Sequence, residues 1–484
     1  MNMNVYLKRI KIVREKYFLE VLFLVITDLL MLVVSFLLSL LIRSALIPIV
    51  GGVIISDLST QLFVLLVVIN LLMLAFKGNY PGRGLVAVTE LKNLIESIIT
   101  AFFLVGLVIF VTTPVSNFSR SIFLLSLIFS CVLVPIGRFT LRKFMTLKNW
   151  WGEPIAIIGS GAEIISLYHD VKKCRRLGFR TVVGLYLEDD QKIHDARATI
   201  PFFPLSKDIL QYLQRRNVKT LIVSVPPNEF RKSNPELLLE IEKLFIRVIF
   251  LLDNVSFGFL WGRSVDIEGR PAFQMQHNLL NPITYFFKKV LDFSLAVIFI
   301  IPAAFIIALI SLLIIIDSPG PIFYTQERIG QYKKNFKIYK FRTMVKNADE
   351  MLDQLLKNDK KFRKEYEKFH KLGNDPRITR VGKILRRLSL DEIPQIFNVF
   401  KGNMSLIGPR AYMASEMKDI SSDADIIFRV KPGLTGWWQV MGRNETTFEQ
   451  RKKMDIYYIN NWSLWMDLYI FLKSFYTMIS GKGL

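Results

Sequence analysis

A chain of 484 residues has room for about three domains, and its 51% hydrophobic content stands beside a formal net charge of +22. The pairing excludes an ordinary soluble enzyme. Because the apolar residues fall in long runs, it also argues against nucleic acid as the partner and fits a membrane protein whose other parts face anionic lipid or a polyanionic substrate.

Four apolar segments approach or reach spanning length, at roughly 17–42, 61–76, 94–113 and 121–136. Lys8, Arg9, Lys11, Arg14 and Lys16 precede the first. The loop 44–60 has no Lys or Arg, the next carries Lys77, Arg83 and Lys92, and 114–119 is again uncharged. Arg138, Arg142 and Lys143 follow the fourth segment. This alternation places the N-terminus and everything after Arg138 in the cytoplasm. The first run is too long for a cleavable signal and lacks a small-residue cleavage site. Residues 1–145 therefore read as four transmembrane helices. Asp28, inside the first, reads as a packing or interface feature. Cys131, in the fourth run, and Cys174, in a polar stretch, suggest no disulfide. His169, His194, His277 and His370 form no zinc spacing.

Residues 146–275 alternate strand and helix patterns. Strands are predicted at 155–158, 181–187, 220–225 and 247–252, which reads as a parallel, Rossmann-like α/β domain. The first strand runs into Gly159-Ser160-Gly161, the start of a dinucleotide fingerprint, but Ile164 stands where a third glycine belongs. Glu188, Asp189 and Asp190 are candidates for the acid after the second strand. A structural or regulatory module is the better-supported reading.

Residues 276–484 open with a fifth apolar run, 290–316, long enough to span. If it spanned, the basic region after Asp317 would lie outside the cytoplasm, against the charge pattern. Pro302 near its middle removes an intrahelical hydrogen bond and favours a kink. A helix broken there, over about 286–316, can enter one leaflet and return on the same side, provided the freed backbone groups find partners. An ordinary spanning helix with a tolerated proline is the alternative. Residues 344–369 are highly charged with helical spacing and read as an amphipathic surface helix.

The richest stretch is 389–410, SLDEIPQIFNVFKGNMSLIGPR. Asp391 and Glu392 open a short helix between Arg386 and Arg387 on one side and Lys401 and Arg410 on the other. Ser389 and Glu392 also fit a capping box, but Pro394 would then fall where a backbone N–H is normally needed. On spacing alone, capping and chemistry remain open.

Together with QERIGQYKKNFKIYKFRTM (326–344), NDPRITRVG (374–382) and KPGLTGWWQVMGRN (431–444), this stretch resembles the monotopic phosphoglycosyl transferases, or bacterial sugar transferases, over roughly 282–484. The whole chain is similar to their long form. The resemblance implies a mainly helical, monotopic catalytic domain with a re-entrant helix. It also implies a multi-pass protein of the bacterial inner membrane with its catalytic domain on the cytoplasmic face. The implied reaction moves hexose-1-phosphate from UDP-galactose or UDP-glucose to undecaprenyl phosphate, with UMP released, at the start of O-antigen, capsule or exopolysaccharide synthesis. It implies Asp391 as nucleophile, forming an aspartyl phospho-sugar, and Glu392, with Asp391, as holder of Mg²⁺. Arg328, Lys340, Arg342, Arg386, Arg410 and Arg443 are the phosphate-binding candidates. Membrane lipids are expected partners, and a homo-oligomer is compatible with the reading.

The chain departs from the family at Ile301, where a serine usually precedes the proline of the bend, and at Ala411, where a second proline usually follows Gly408-Pro409-Arg410. Asp375 and Arg377 match a D-x-R element that also reads as a structural ion pair. Trp437 and Trp438 suit either a binding loop or an interface. The rival functions are a membrane transporter, an NAD-dependent nucleotide-sugar enzyme and a transferase working in one direct step.

Overall fold

The computed structural model describes residues 16–479 except 51–55, 113–118, 149, 174, 189–199, 226–229, 231–234, 252–262, 268–269, 275–277, 346–347, 349, 352–356, 358–374, 421–422 and 443–445. Cys174, Asp189, Asp190, His194, His277, His370, Arg443 and most of the stretch 344–369 thus lie outside the described residues. The chain divides into two compact units, Met1–Val255 and Ser256–Leu484.

In the first unit the four apolar runs form helices α1 (Tyr17–Val50), α2 (Ser56–Phe76), α3 (Ala87–Thr112) and α4 (Arg120–Met145). Each helix outruns its apolar stretch, because hydropathy marks only the residues that seek lipid while backbone hydrogen bonding continues into the polar flanks. Among the described residues, 17–48, 87–111, 120–145 and 282–317 are long and apolar enough to cross a membrane; Gln61–Phe76 is shorter. At the polar ends of these helices lies a buried ionic cluster. Arg138 donates to Asp28 through Nε at 2.8 Å and Nη2 at 2.6 Å, and Tyr80 Oη donates to Asp28 Oδ2 at 2.5 Å. Arg142 Nε donates to Glu90 Oε1 at 2.7 Å. Buried charges persist only when paired in this way, so Asp28 is a packing residue as expected.

A five-stranded parallel sheet follows, in the order β3-β2-β1-β4-β5, from β1 (Glu153–Gly159), β2 (Phe179–Tyr186), β3 (Phe202–Pro204), β4 (Thr220–Val223) and β5 (Arg247–Phe250). The whole of β1 is buried, as a central parallel strand requires. Helix α5 (Gly161–Lys173) begins at the second glycine of the turn. Ile164, in place of a third glycine, is buried among Ile155, Ile157 and Leu167. Helices α6 (Lys207–Arg215) and α7 (Pro235–Leu244) complete the alternation. Arg83 ties the α/β part to α1, meeting Glu20 at 2.8 Å and Glu153 at 3.2 Å.

The second unit opens with the hairpin β6–β7 (Arg263–Ile267, Arg270–Gln274) and then helix α8 (Pro282–Asp317), 36 residues with Pro302 inside one continuous element. The proline therefore costs no assigned helical residue. Near its start, Lys288 Nζ lies 2.7 Å from Asp467 Oδ2, Ser405 Oγ donates to Asp292 Oδ2 at 2.6 Å, and Phe293 stacks on Phe400 at 5.8 Å. Near its end, Ile307, Ile310 and Ile314 are buried with Phe341 and Leu385. Between these contacts Ile298, Ile301 and Phe305 are 63%, 77% and 76% exposed.

A second antiparallel hairpin, β8 (Phe323–Ile329) and β9 (Asn335–Phe341), precedes helix α9 (Arg380–Arg387). Beyond it lie a 3₁₀ turn (Leu390–Gln395), a short helix (Ile396–Phe400) and the parallel pair β10 (Ser405–Ile407) and β11 (Gly433–Thr435). Helices α10 (Phe448–Asn461) and α11 (Leu464–Ile479) close the chain.

Candidate active site

Pro394 decides how the acidic segment folds. Lacking an N–H, it is accommodated in the 3₁₀ turn Leu390–Gln395, and the α-helix begins only at Ile396. Ser389 has φ 56° and ψ 25°, the left-handed region, and its side chain caps nothing. The capping box does not form. A left-handed non-glycine residue costs about 1–2 kcal/mol, so the turn that presents both acids is held under backbone strain.

Four predicted residues meet there. Lys340, on β9, places Nζ 2.6 Å from Glu392 Oε1. Arg386, on the last turn of α9, donates from Nε to Thr343 Oγ1 at 2.9 Å. The Asp391 carboxyl is pushed up to about 6, first by burial and then by the negative charge of Glu392, while Lys340 and Arg386 pull it down. Burial conversely holds the Arg386 guanidinium below its ordinary range, with Asp391 acting upward.

Arg328 and Arg410 form a second group. The β8–β9 register pairs Tyr324 with Lys340, which puts Arg328, four residues further along β8, and Lys340 on one face of the hairpin. Arg328 donates to the Ala411 carbonyl at 3.0 Å and to Gln326 Oε1 at 2.8 Å. Arg410 Nη2 lies 3.2 Å from Glu416 Oε1, and its guanidinium lies over Trp438, whose ring also faces Arg451. Burial, with Arg410 beside it, lowers Arg328, while Glu416 and Glu392 raise it. Of the acidic pair, Arg328 thus feels the charge of Glu392.

The turn carrying Arg410 is built by two glycines. A Cβ on Gly433 would lie 2.1 Å from the Gly408 nitrogen, and one on Gly408 would lie 2.7 Å from the Gly433 nitrogen. Only this side-chain-free approach lets Gly433 N donate to the Pro409 carbonyl at 2.8 Å. Arg410 N then donates to Asp455 Oδ2 at 3.1 Å, and Tyr412 Oη donates to the same oxygen at 2.7 Å. Asp455 is completely buried, and burial pushes its carboxyl up to about 7.

Arg342 stands apart. Its Nη2 donates to Ser318 O at 2.5 Å and Ser318 Oγ at 2.8 Å, fixing the chain where α8 ends. Even so, the Nε atoms of Arg328, Arg342 and Arg410 are all buried without a hydrogen-bond partner. Arg377 grips Asp375 at 2.9 and 2.7 Å, a bidentate structural pair. Trp437 is buried against Tyr457 and Tyr469 and is no interface anchor. Asp455, Tyr412, Glu416, Thr343 and Arg451 escaped the reading of the sequence. The one available signal was for Asp455, an acid at a position of α10 flanked by apolar residues.

Asp391 and Glu392 form a two-carboxylate donor set; among the described residues no three His, Cys, Asp or Glu side chains gather as a metal site. Such a pair fits Mg²⁺, which is commonly held by one or two carboxylates together with substrate phosphates. The repulsion from Glu392 that adds to burial in raising Asp391 is what a bound cation would relieve.

Long apolar helices and a half-buried carboxylate pair beside Lys340 and Arg386 define, in class, a membrane-associated protein whose site suits anionic substrates. The profile of the "Bacterial sugar transferase" family matches residues 283–481, and that of a "CoA-binding domain" matches 75–251. The undecaprenyl-phosphate galactose phosphotransferase of Salmonella typhimurium is 32% identical over 81% of this chain and 82% of its own length. The UDP-galactose-lipid carrier transferase of Erwinia amylovora is 31% identical over 75% and 76%. The UDP-glucose:undecaprenyl-phosphate glucose-1-phosphate transferase of Xanthomonas campestris is 29% identical over 72% of each chain. The chain belongs to the bacterial sugar transferase family, in its long form.

Proposed function

We propose that this chain transfers hexose-1-phosphate from UDP-galactose or UDP-glucose to undecaprenyl phosphate, giving undecaprenyl-diphospho-sugar and UMP at the start of O-antigen, capsule or exopolysaccharide assembly. The carrying observation is Asp391, a half-buried carboxyl on the strained turn it shares with Glu392, with Lys340 and Arg386 beside the pair. An oxygen of Asp391 attacks the phosphorus that bears the sugar. The bond to the bridging oxygen breaks, UMP leaves with that oxygen, and an aspartyl phospho-sugar remains. An oxygen of undecaprenyl phosphate then attacks the same phosphorus and frees the Asp391 carboxylate. Mg²⁺, held by Glu392 and Asp391, would supply positive charge against the crowded phosphates. Lys340 keeps Glu392 oriented, and Arg386, Arg328 and Arg410 offer guanidinium donors to phosphate oxygens.

The contacts of α8 support a helix that enters one leaflet and returns. Phe293 stacks on Phe400, while Phe397, one turn earlier on the same short helix, packs against the cluster of Ile307, Ile310 and Ile314. A bend at Pro302 would put the exposed Ile298, Ile301 and Phe305 at a lipid-facing tip. Both ends of α8 then lie on the cytoplasmic face of the bacterial inner membrane, where UDP-sugars are.

The test is a UMP-release assay with undecaprenyl phosphate across a panel of UDP-sugars. UMP release with UDP-galactose or UDP-glucose, abolished by EDTA, is the expected result. No release with any UDP-hexose overturns the proposal.

A further inference from the structure

A cavity of about 210 Å³ lies in the second unit at the opposite end of the segment 390–400 from the acidic pair. It shares no lining residue with the site described above. Its polar lining is unbalanced. Lys288, Lys289 and Lys431 face it, and so does Asp292; Lys288 is paired with Asp467 at 2.7 Å and Asp292 at 3.5 Å. Both of those carboxylates are thus held by one lysine. Asp292 also accepts from Ser405 Oγ and Leu406 N, and Asp467 from Tyr458 Oη and Trp462 Nε1.

Lys289 and Lys431 carry no ion pair among the described residues. Lys289 lies over the Tyr285 ring at 4.5 Å. The Lys431 ammonium lies beside Gly402, 3.6 Å from where a Cβ would stand. Burial lowers Lys431, and the positive charges of Lys289 and Lys288 lower it further, against the upward pull of Asp292. A half-buried ammonium repelled by its neighbours favours an anion between them.

The surroundings select the kind of anion. On α8 next to the cavity, Phe286, Phe287 and Phe293 are 62%, 57% and 53% exposed. An anion seated on the two lysines would have an apolar helix running away from it, along which a hydrocarbon tail can lie. We infer that the cavity binds the phosphate of a membrane lipid, with Lys289 and Lys431 on the phosphate oxygens and the tail against the exposed phenylalanines of α8. The same chemistry is offered by an anionic phospholipid headgroup and by a polyprenyl phosphate. The inference rests on α8 lying in a membrane and not on the transfer reaction. A chain that releases UMP yet retains no lipid phosphate here overturns the site alone, and the converse overturns the reaction alone.

The experiment reads lipid retained by the purified full chain from phosphatidylcholine nanodiscs doped with either phosphatidylglycerol or undecaprenyl phosphate, by native mass spectrometry. Wild type is expected to retain at least one of the two. The double variant Lys289→Gln/Lys431→Gln is expected to retain it at least fivefold less, and the doped lipid that shows the loss identifies the source. Lys431→Arg, which keeps the charge, is expected to retain it. Equal retention by wild type and the double variant overturns the site. So does an equal loss in Lys453→Gln, an exposed lysine on α10, because the effect would then be one of net charge. A phosphatidylglycerol carrying a photoreactive headgroup gives a readout on wild type that does not depend on variant folding. Crosslinks within 399–405 and 430–431 support the assignment, and crosslinks confined to other segments overturn it.

Discussion

Lys340 Nζ stands 2.6 Å from Glu392 Oε1, while Asp391, the neighbouring acid, has no ion pair among the described residues. Two adjacent carboxylates are thereby made unequal. One is oriented by a strand cation and suits a holding role; the other is half-buried, with no ion pair among the described residues, and suits an attacking role. Asp391→Asn is expected to fold and to lose more than tenfold in UMP release, over about 1.4 kcal/mol of transition-state stabilisation. Glu392→Gln is expected to raise the Mg²⁺ concentration needed for half-maximal rate. Retention of more than a tenth of the rate by Asp391→Asn would remove it as nucleophile.

The same asymmetry sets a pH dependence. With Asp391 near 6, attack by the carboxylate is lost as pH falls through 6, so kcat/KM should drop with unit slope on the acid side. The stability sign is the reverse of the usual carboxylate case. A folded value above the ordinary carboxyl value of 3.8 means the native state binds the proton more tightly than the unfolded chain. The stabilisation is full below about 3.8 and disappears as pH rises through about 6. Asp391→Asn, which cannot ionise, should therefore melt higher than wild type at pH 8, with the difference shrinking at pH 5. Melting curves of the two proteins at both pH values check this; an unchanged difference would contradict the assigned environment.

Much of this architecture was legible in the sequence. The apolar runs announced the four N-terminal helices and the strand–helix alternation announced the parallel sheet; Pro394 weakened the capping-box reading, but the acids read as opening a helix, whereas they lie in the 3₁₀ turn before it. What stayed hidden depends on distant partners. Nothing near Asp467 discloses that Lys288, 179 residues earlier, neutralises it. Arg342 read as a phosphate ligand, and only the fold brings Ser318 to its guanidinium. The three residues of β3 were too few to carry a period-two pattern. The ends of the apolar helices escaped because hydropathy is silent about polar residues that stay helical.

Lys288 and Asp467 are both buried, and Asp467 also accepts from Trp462 Nε1 at 3.0 Å and Tyr458 Oη at 2.8 Å. Removing one partner leaves a buried charge uncompensated, at a cost of about 3–5 kcal/mol. Lys288→Met should lower the thermal midpoint sharply, and Lys288→Met/Asp467→Asn should recover part of the loss. A single variant as stable as wild type would show that the pair is not buried in solution.

Gly433→Ala tests how the Arg410 turn is made. The new methyl would lie 2.1 Å from Gly408 N, so the parallel pair must part. Overpacking of this kind costs about 1–3 kcal/mol, and the displaced turn should carry Arg410 away from Asp455 and Glu416. The expected outcome is a raised KM for the UDP-sugar together with lower stability. A kinetically normal Gly433→Ala would show that the position of Arg410 does not depend on this approach.

The division between the two units bears on which parts of the chain the chemistry needs. Every described site residue, from Arg328 to Asp455, falls within Ser256–Leu484, and each of their contacts reported above is made inside that unit. In the N-terminal helices the buried acids Asp28 and Glu90 are paired with Arg138 and Arg142. Residues 282–484, expressed without 1–275, should therefore retain catalytic activity. The fragment will not be as stable as the whole. Cutting at 282 removes Asn281, whose Oδ1 caps α8 by accepting from Ile283 N at 3.0 Å, and Asn278, whose Nδ2 donates to the Trp462 carbonyl at 2.9 Å. A lost cap alone costs about 1 kcal/mol. Yield and melting point should fall while the rate per folded, membrane-bound molecule stays within about threefold of the full chain, a change of roughly 0.65 kcal/mol in barrier. A folded, membrane-bound fragment that releases no UMP would instead show that the helices or the α/β part act directly in the reaction.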